Sequence, residues 1–134
     1  MKNIIIIALC LIGAANCFVP GGFFPVSIDD PQVVNLTSKA VEYHNQISNS
    51  ANYKKLVRIQ NAQAQVVAGS NYEITFIVGF TDCAKSNITG KTCNLSANTI
   101  PEECTYRILV PLNNQVEITR GDCKLTQAPT IAPV

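Results

Sequence analysis

The chain has no tryptophan and a single histidine among its 134 residues, and only 14% of it is charged. The lone histidine, His44, has no nucleophile placed beside it in sequence, and no paired carboxylates mark a polar cleft. Together these gaps leave nothing from which to assemble an acid–base or nucleophilic centre, so an enzyme is not expected. No C-x-x-C pair is present, which is the close spacing that structural zinc sites use, and no cofactor or metal is expected. No internal repeat is evident. Beyond the N-terminus no apolar run is long enough to span a bilayer.

What is present begins with a targeting segment. Lys2 supplies a positive start, residues 4–12 an apolar core, and Gly13, Ala14 and Ala15 small residues near its end. This reads as a secretory signal peptide over residues 1–17, too short for a transmembrane helix. Cleavage after Cys17 places Ala15 at −3, and cleavage after Ala15 is the alternative. Lipid attachment at Cys17 is disfavoured by Asn16 before it. Of ten Lys and Arg, Lys2 leaves with the signal, so nine remain against nine Asp and Glu. That balance argues against nucleic acid or an anionic membrane as partner. An extracellular, soluble, monomeric protein is expected.

Cys10 and Cys17 belong to the signal, leaving Cys83, Cys93, Cys104 and Cys123. An even count in a secreted chain implies disulfides, and four cysteines allow three pairings. Sequential pairing would close two short loops, each worth about 3 kcal/mol in the chain-entropy picture. Asn35-Leu36-Thr37, Asn87-Ile88-Thr89 and Asn94-Leu95-Ser96 are glycosylation sequons. Use of Asn35 requires that it face out from a helix.

Residues 18–25 contain two Gly and two Pro and have no period, so no regular structure is expected there. The stretch is apolar for a free terminus, which suits an arm that orders on a partner. Asp29-Asp30-Pro31-Gln32 signals a helix start, with Gln32 three after Asp29 as in a capping box. Val33, Leu36, Ala40, His44 and Ile47 then recur at helical steps as one buried stripe, flanked by Val41 and Tyr43. The helix is expected to end near Ser48-Asn49-Ser50.

From Lys54 the period becomes two. Val57 and Ile59 face one way, but farther on Ala62, Ala64 and Val66 hold the apolar phase, so a β-bulge is predicted near Gln60-Asn61. Tyr72, Ile74, Phe76, Val78 and Phe80 form one face of the next strand. Gly69-Ser70-Asn71 reads as the turn between the two. Residues 82–102 read as a polar excursion. Strands follow from Cys104 to Val110 and from Val116 to Leu125, joined by a turn over residues 111–115. Residues 127–134 read as a mobile tail, which leaves one domain over 18–126. One helix followed by strands buries both apolar faces most economically as an α+β fold, with a four- or five-stranded antiparallel sheet wrapped around the long N-terminal helix.

The first hairpin end, Gln65-Val66-Val67-Ala68-Gly69, is apolar where a solvated hairpin is usually polar. These five residues resemble the Gln-x-Val-x-Gly loop of the cystatins. Gly21-Gly22 resembles that family's N-terminal glycines, and the helix and hairpins stand in the family's order. The mature chain is therefore similar to a type 2 cystatin over nearly its whole length. The resemblance implies Cys83–Cys93 and Cys104–Cys123 pairing. It implies reversible, competitive inhibition of papain-like cysteine proteases through three segments: the arm Val19, Pro20, Gly21 and Gly22, the loop 65–69, and a second loop at Pro111-Leu112. The family's second loop has Pro-Trp, so Leu112 is a departure. Ser48-Asn49-Ser50 is similar to the Ser-Asn-Asp site with which some cystatins inhibit legumain, with Asn49 presented and Ser50 replacing the acid. A non-inhibitory binding protein on the same fold is the rival reading.

Overall fold

The computed structural model describes residues 22–87 and 92–126. The signal with its cleavage site, arm residues Val19, Pro20 and Gly21, the Asn87 side chain with the rest of its sequon, and the tail 127–134 lie outside that description. Among the described residues, five strands and one α-helix make up the fold: β1 (Phe23–Pro25), α1 (Pro31–Ile47), β2 (Asn52–Val67), β3 (Gly69–Ala84), β4 (Glu102–Val110) and β5 (Glu117–Leu125). The strands form one antiparallel sheet in the order β1-β2-β3-β4-β5, with α1 against one face. This is the predicted α+β architecture. No helix among the described residues is long and apolar enough to cross a membrane.

The helix departs from its sequence reading at both ends. Asp30, not Asp29, caps it, its carboxylate accepting the Gln32 amide at 2.8 Å. Pro31 therefore occupies the first turn, where its missing N–H costs nothing, and Gln32 stands too close to the cap to make a capping box. At the far end Ile47 is 57% exposed, off the buried stripe. The stripe itself is Val33, Leu36, Ala40, Val41 and His44, joined by buried Thr37 and Asn45. Thr37 satisfies its hydroxyl by donating to the Val33 carbonyl at 2.7 Å. The Asn45 amide donates to the Lys54 carbonyl and accepts from the Lys54 N–H, both at 2.8 Å. Asn45 therefore clips the end of α1 to the start of β2, with its polar atoms matched.

The core is Val33, Leu36, Ala40 and Val41 against Ala62, Ile74, Phe76, Val78, Cys104, Tyr106 and Ile108. Full burial of each larger side chain contributes roughly 1.5–3 kcal/mol. The pairing of β2 with β3 shifts register between Ile59 and Asn61, beside the predicted bulge. It also shifts between Leu56 and Arg58 and between Asn52 and Lys54, which the alternation did not reveal. Lys54, Leu56, Ile59, Ala62 and Ala64 turn inward as a result, at steps of two, three, three and two. Val57, read as facing the core with Ile59, instead lies on the outer face at 38% exposure beside Gly79 and Leu95. Repeated bulges bend and twist a strand, and they allow one 16-residue strand to curl around the helix.

Two further expectations are corrected. Phe23–Pro25 is a short edge strand on β2, although the Gly and Pro of residues 18–25 predict irregular structure. Pro25 is tolerated because it closes the strand at the sheet edge, where its missing donor breaks no ladder. The turn between β2 and β3 is not Gly69-Ser70-Asn71. Ser70 and Asn71 pair with Val66 and Gln65, and Val67 pairs with Gly69, so Ala68 alone forms the apex. The cysteines pair sequentially, Cys83 with Cys93 and Cys104 with Cys123.

Candidate functional site

The sheet register brings three separated pieces of chain to one end of the molecule. β2 and β3 meet at Ala68. Phe23 lies opposite Gln65, which puts Gly22 beside that loop. Ser70 lies opposite Val110, which puts the β4–β5 loop on its other side. The two loops are packed as well as adjacent. Gly69 has φ +104°, and a Cβ there would collide with the Val110 carbonyl oxygen and fall 2.8 Å from Pro111 Cα. Only glycine lets the backbones approach so closely in that conformation.

Each piece is braced from behind. Asn71 donates through its side-chain amide to Gln65 Oε1 at 3.1 Å, across the root of the first loop. The second loop is a tight turn: the Asn114 N–H donates to the Pro111 carbonyl at 2.9 Å, and the Gln115 N–H to Asn113 Oδ1 at 3.0 Å. Asn114 adopts φ +65°, a conformation that Asn accepts more readily than most residues. Next to Gly22, the Phe23 ring lies 4.9 Å from the Arg107 guanidinium. Arg107 bonds Glu73 at 3.1 Å, and Glu73 accepts from Gln63 at 2.6 Å. This chain of contacts spans β1 to β4 on the outer face. It was not legible beforehand, because Phe23, Gln63, Glu73 and Arg107 become neighbours only once the register is set.

The resulting edge is apolar and solvated. Val66 is 58% exposed, Val67 44% and Leu112 84%. Among the described residues, no nucleophile or titratable pair lies in it. His44 sits at the opposite end, where β4 begins, near Glu102, Lys54 and Tyr106. His44, Cys104 and Cys123 bring potential metal ligands within 4.8 Å, but both sulfurs are committed to a disulfide. The edge can bury apolar surface in a groove; it cannot make or break a bond.

Asn49 is also at the far end, exposed between α1 and β2. The Ser50 N–H donates to Ser48 Oγ at 3.1 Å, and the Lys85 ammonium donates to the Ser48 carbonyl at 2.8 Å. Among the sequons, Asn35 faces outward from α1 and Asn94 is exposed on the excursion before β4.

The family profile for the cystatin domain matches residues 21–113. The chain is 37% identical to a cystatin of Notechis scutatus scutatus, over 87% of this chain and 88% of that one. The chain belongs to the cystatin family. Among solved structures, Al-CPI superposes with a TM-score of 0.74 at 32% identity, covering 79% of this chain and all of its own. Dimeric human cystatin F superposes at 0.69 and 24% identity, and so shares the fold. The cystatin match begins at Gly21 and ends just past Leu112, thereby including Gly22 and both loops of the edge. As a cystatin the protein is a protease inhibitor and not an enzyme.

Proposed function

We propose that this cystatin is a secreted, reversible and competitive inhibitor of papain-like cysteine proteases, and that the convergent edge enters the protease active-site cleft. The observation that carries the reading is the packing of Gly69 against Val110 and Pro111, which makes the two loops one wedge. Val66 and Val67 bury apolar area near the catalytic thiol, each worth up to roughly 1.5–3 kcal/mol. The arm residues Val19, Pro20, Gly21 and Gly22 fill the non-primed side, with Gly21 as pivot. Pro111 and Leu112 supply the third contact. Leu112 offers less area than a tryptophan and belongs to a residue type under-represented among binding hot spots, so affinity depends more on the arm and the first loop.

Titration of a papain-like enzyme with the mature chain tests this reading. Deletion through Gly22 should raise the inhibition constant at least about tenfold, the equivalent of one partly buried apolar contact. An unchanged constant removes the arm from the mechanism. Absence of inhibition by the intact chain would leave a cystatin-fold binding protein.

Asn49 supports a second reading, inhibition of legumain. It is exposed while both of its neighbours are held by hydrogen bonds, and such a presented residue suits an asparaginyl endopeptidase. Because Asn49 lies far from the wedge, the two activities are independent. Asn49→Ala should abolish legumain inhibition and leave papain inhibition intact; undiminished legumain inhibition excludes the site.

A further inference from the structure

A groove of about 630 Å³ runs between α1 and the root of the second loop, lined by Asn35, Lys39 and Tyr43 on one side and Val110, Val116 and Ile118 on the other, with Gln32 and Asn114 at its rim. Its volume lies within the range of ligand sites, about 300–1,000 Å³. Asn35, Lys39 and Tyr43 are spaced by four, so they form one ridge of the helix. The three apolar residues opposite are half-buried and back onto the core. Tyr43 is fixed edge-on against Tyr106, with ring centroids 6.2 Å apart, yet remains 39% exposed. The groove thus has an apolar floor, an aromatic wall and amide and ammonium donors around it.

One wall carries its own candidate occupant, since Asn35 is the acceptor of the Asn35-Leu36-Thr37 sequon. We propose that Asn35 bears an N-linked glycan whose first sugars lie in this groove and brace the second loop from behind. A pyranose ring has apolar C–H faces and a polar hydroxyl and acetamido edge, which matches a groove of this composition. Attachment at the wall also sets a high local concentration, so individually weak contacts suffice. Thr37 is fully buried and its hydroxyl is bonded to Val33. The sequon can therefore be read only before the helix docks, and the sugar is in place when the groove forms. Asn94 offers a contrast, because it is exposed and is not among the residues that line this groove. The inference rests on the secretion reading and not on the inhibition reading.

The test uses the full chain expressed in a secreting eukaryotic cell line. Glycopeptide mass spectrometry reads occupancy at Asn35, and amide hydrogen exchange reads residues 112–118. Exchange there should slow at least about threefold in the glycosylated chain relative to Asn35→Gln. Trimming to a single N-acetylglucosamine should retain most of the protection, and Asn94→Gln should leave it unchanged. A bare Asn35 in chain recovered from the medium overturns the inference alone; a chain that is retained in cells and bare overturns secretion with it. An occupied Asn35 with no difference in exchange overturns the seating. Protection that follows protein concentration and not the glycan assigns the groove to a second copy and also overturns it.

Discussion

Replacing Gly69 with alanine is expected to weaken inhibition of a papain-like protease about 100-fold or more while leaving the helix and core folded. The backbone there has φ +104°, and the added methyl is driven into backbone atoms of Val110 and Pro111, which cannot rotate aside. Strain of this kind costs about 1–3 kcal/mol, and overpacking a close contact costs about as much again. The chain can relieve both by parting the two loops. That relief separates Val66 and Val67 from Leu112 and blunts the wedge, so part of the penalty reappears as lost affinity at 1.4 kcal/mol per tenfold. Ala68→Gly, one residue away at the apex, meets no such obstacle and should change the inhibition constant by only a few-fold. The inhibition constant from a fluorogenic substrate and a thermal melt of each variant decide the matter. Full-strength inhibition by Gly69→Ala with an unchanged melt would show that loop contact is irrelevant to the site.

That contact also marks the boundary of what the sequence could reveal. Gly69 announces a positive φ, but the sequence does not say that Pro111 is what it must avoid. Local signals were legible wherever one element determines its own pattern: the stripe from Val33 to His44, the alternation from Tyr72 to Val78, the Pro111 turn. They failed where tertiary structure decides. Ile47 keeps the helical period but is the last residue of the helix and is exposed. Val57 keeps the strand period, and an additional bulge turns it outward. Phe23–Pro25 carries glycine before it and a proline within it, yet pairs because the β2 edge offers free backbone groups. Lys54 is the largest surprise: a lysine on what alternation alone would make a solvated position is only 5% exposed, and its partners come from sequence positions 44 and 102.

Those partners lead to the second large expectation, that the fold loses stability on acidification and that Lys54→Met destabilises it by about 2–4 kcal/mol at neutral pH. The Lys54 ammonium lies 2.8 Å from Glu102 Oε1, and His44 Nε2 lies 3.3 Å from the same oxygen. A single neutral tautomer of His44 satisfies its ring: Nε2–H donates to Glu102 while Nδ1, 3.4 Å from the Tyr106 hydroxyl, accepts from it. Burial lowers the His44 pKa below 6.5, the hydrogen bond to Glu102 opposes this, and the Lys54 charge adds to the lowering. Burial alone would raise the Glu102 carboxyl, but the hydrogen bond and charge of Lys54, with His44, hold it below 4.5. Burial pushes the neighbouring Tyr106 phenol up to about 12, with Tyr43, Glu102 and Asp122 adding to the effect, so it remains a donor throughout.

The signs agree. Below about pH 6.5 the unfolded chain protonates His44 before the folded chain does, so stability falls as pH drops towards the folded value. Below about pH 4.5 the unfolded chain likewise protonates Glu102 first, and the contribution of its pairing is lost as pH falls through the folded value. Melting temperature should therefore decline in two windows, one beneath each reference value. His44→Gln retains a donor for Glu102 and should flatten the upper window alone. Lys54→Met strands a carboxylate whose side chain is 16% exposed. Breaking a buried pair costs about 3–5 kcal/mol, reduced here by the solvent that still reaches Glu102. In that variant Glu102 takes its proton at higher pH, closer to the unfolded value, so the decline in the lower window shrinks. A melt series from pH 7 to 3 on the three proteins reads all of this. Parallel curves would mean that the His44–Lys54–Glu102 contacts contribute nothing to acid sensitivity, and a Lys54→Met protein as stable as the parent would mean that Glu102 is solvated despite its burial.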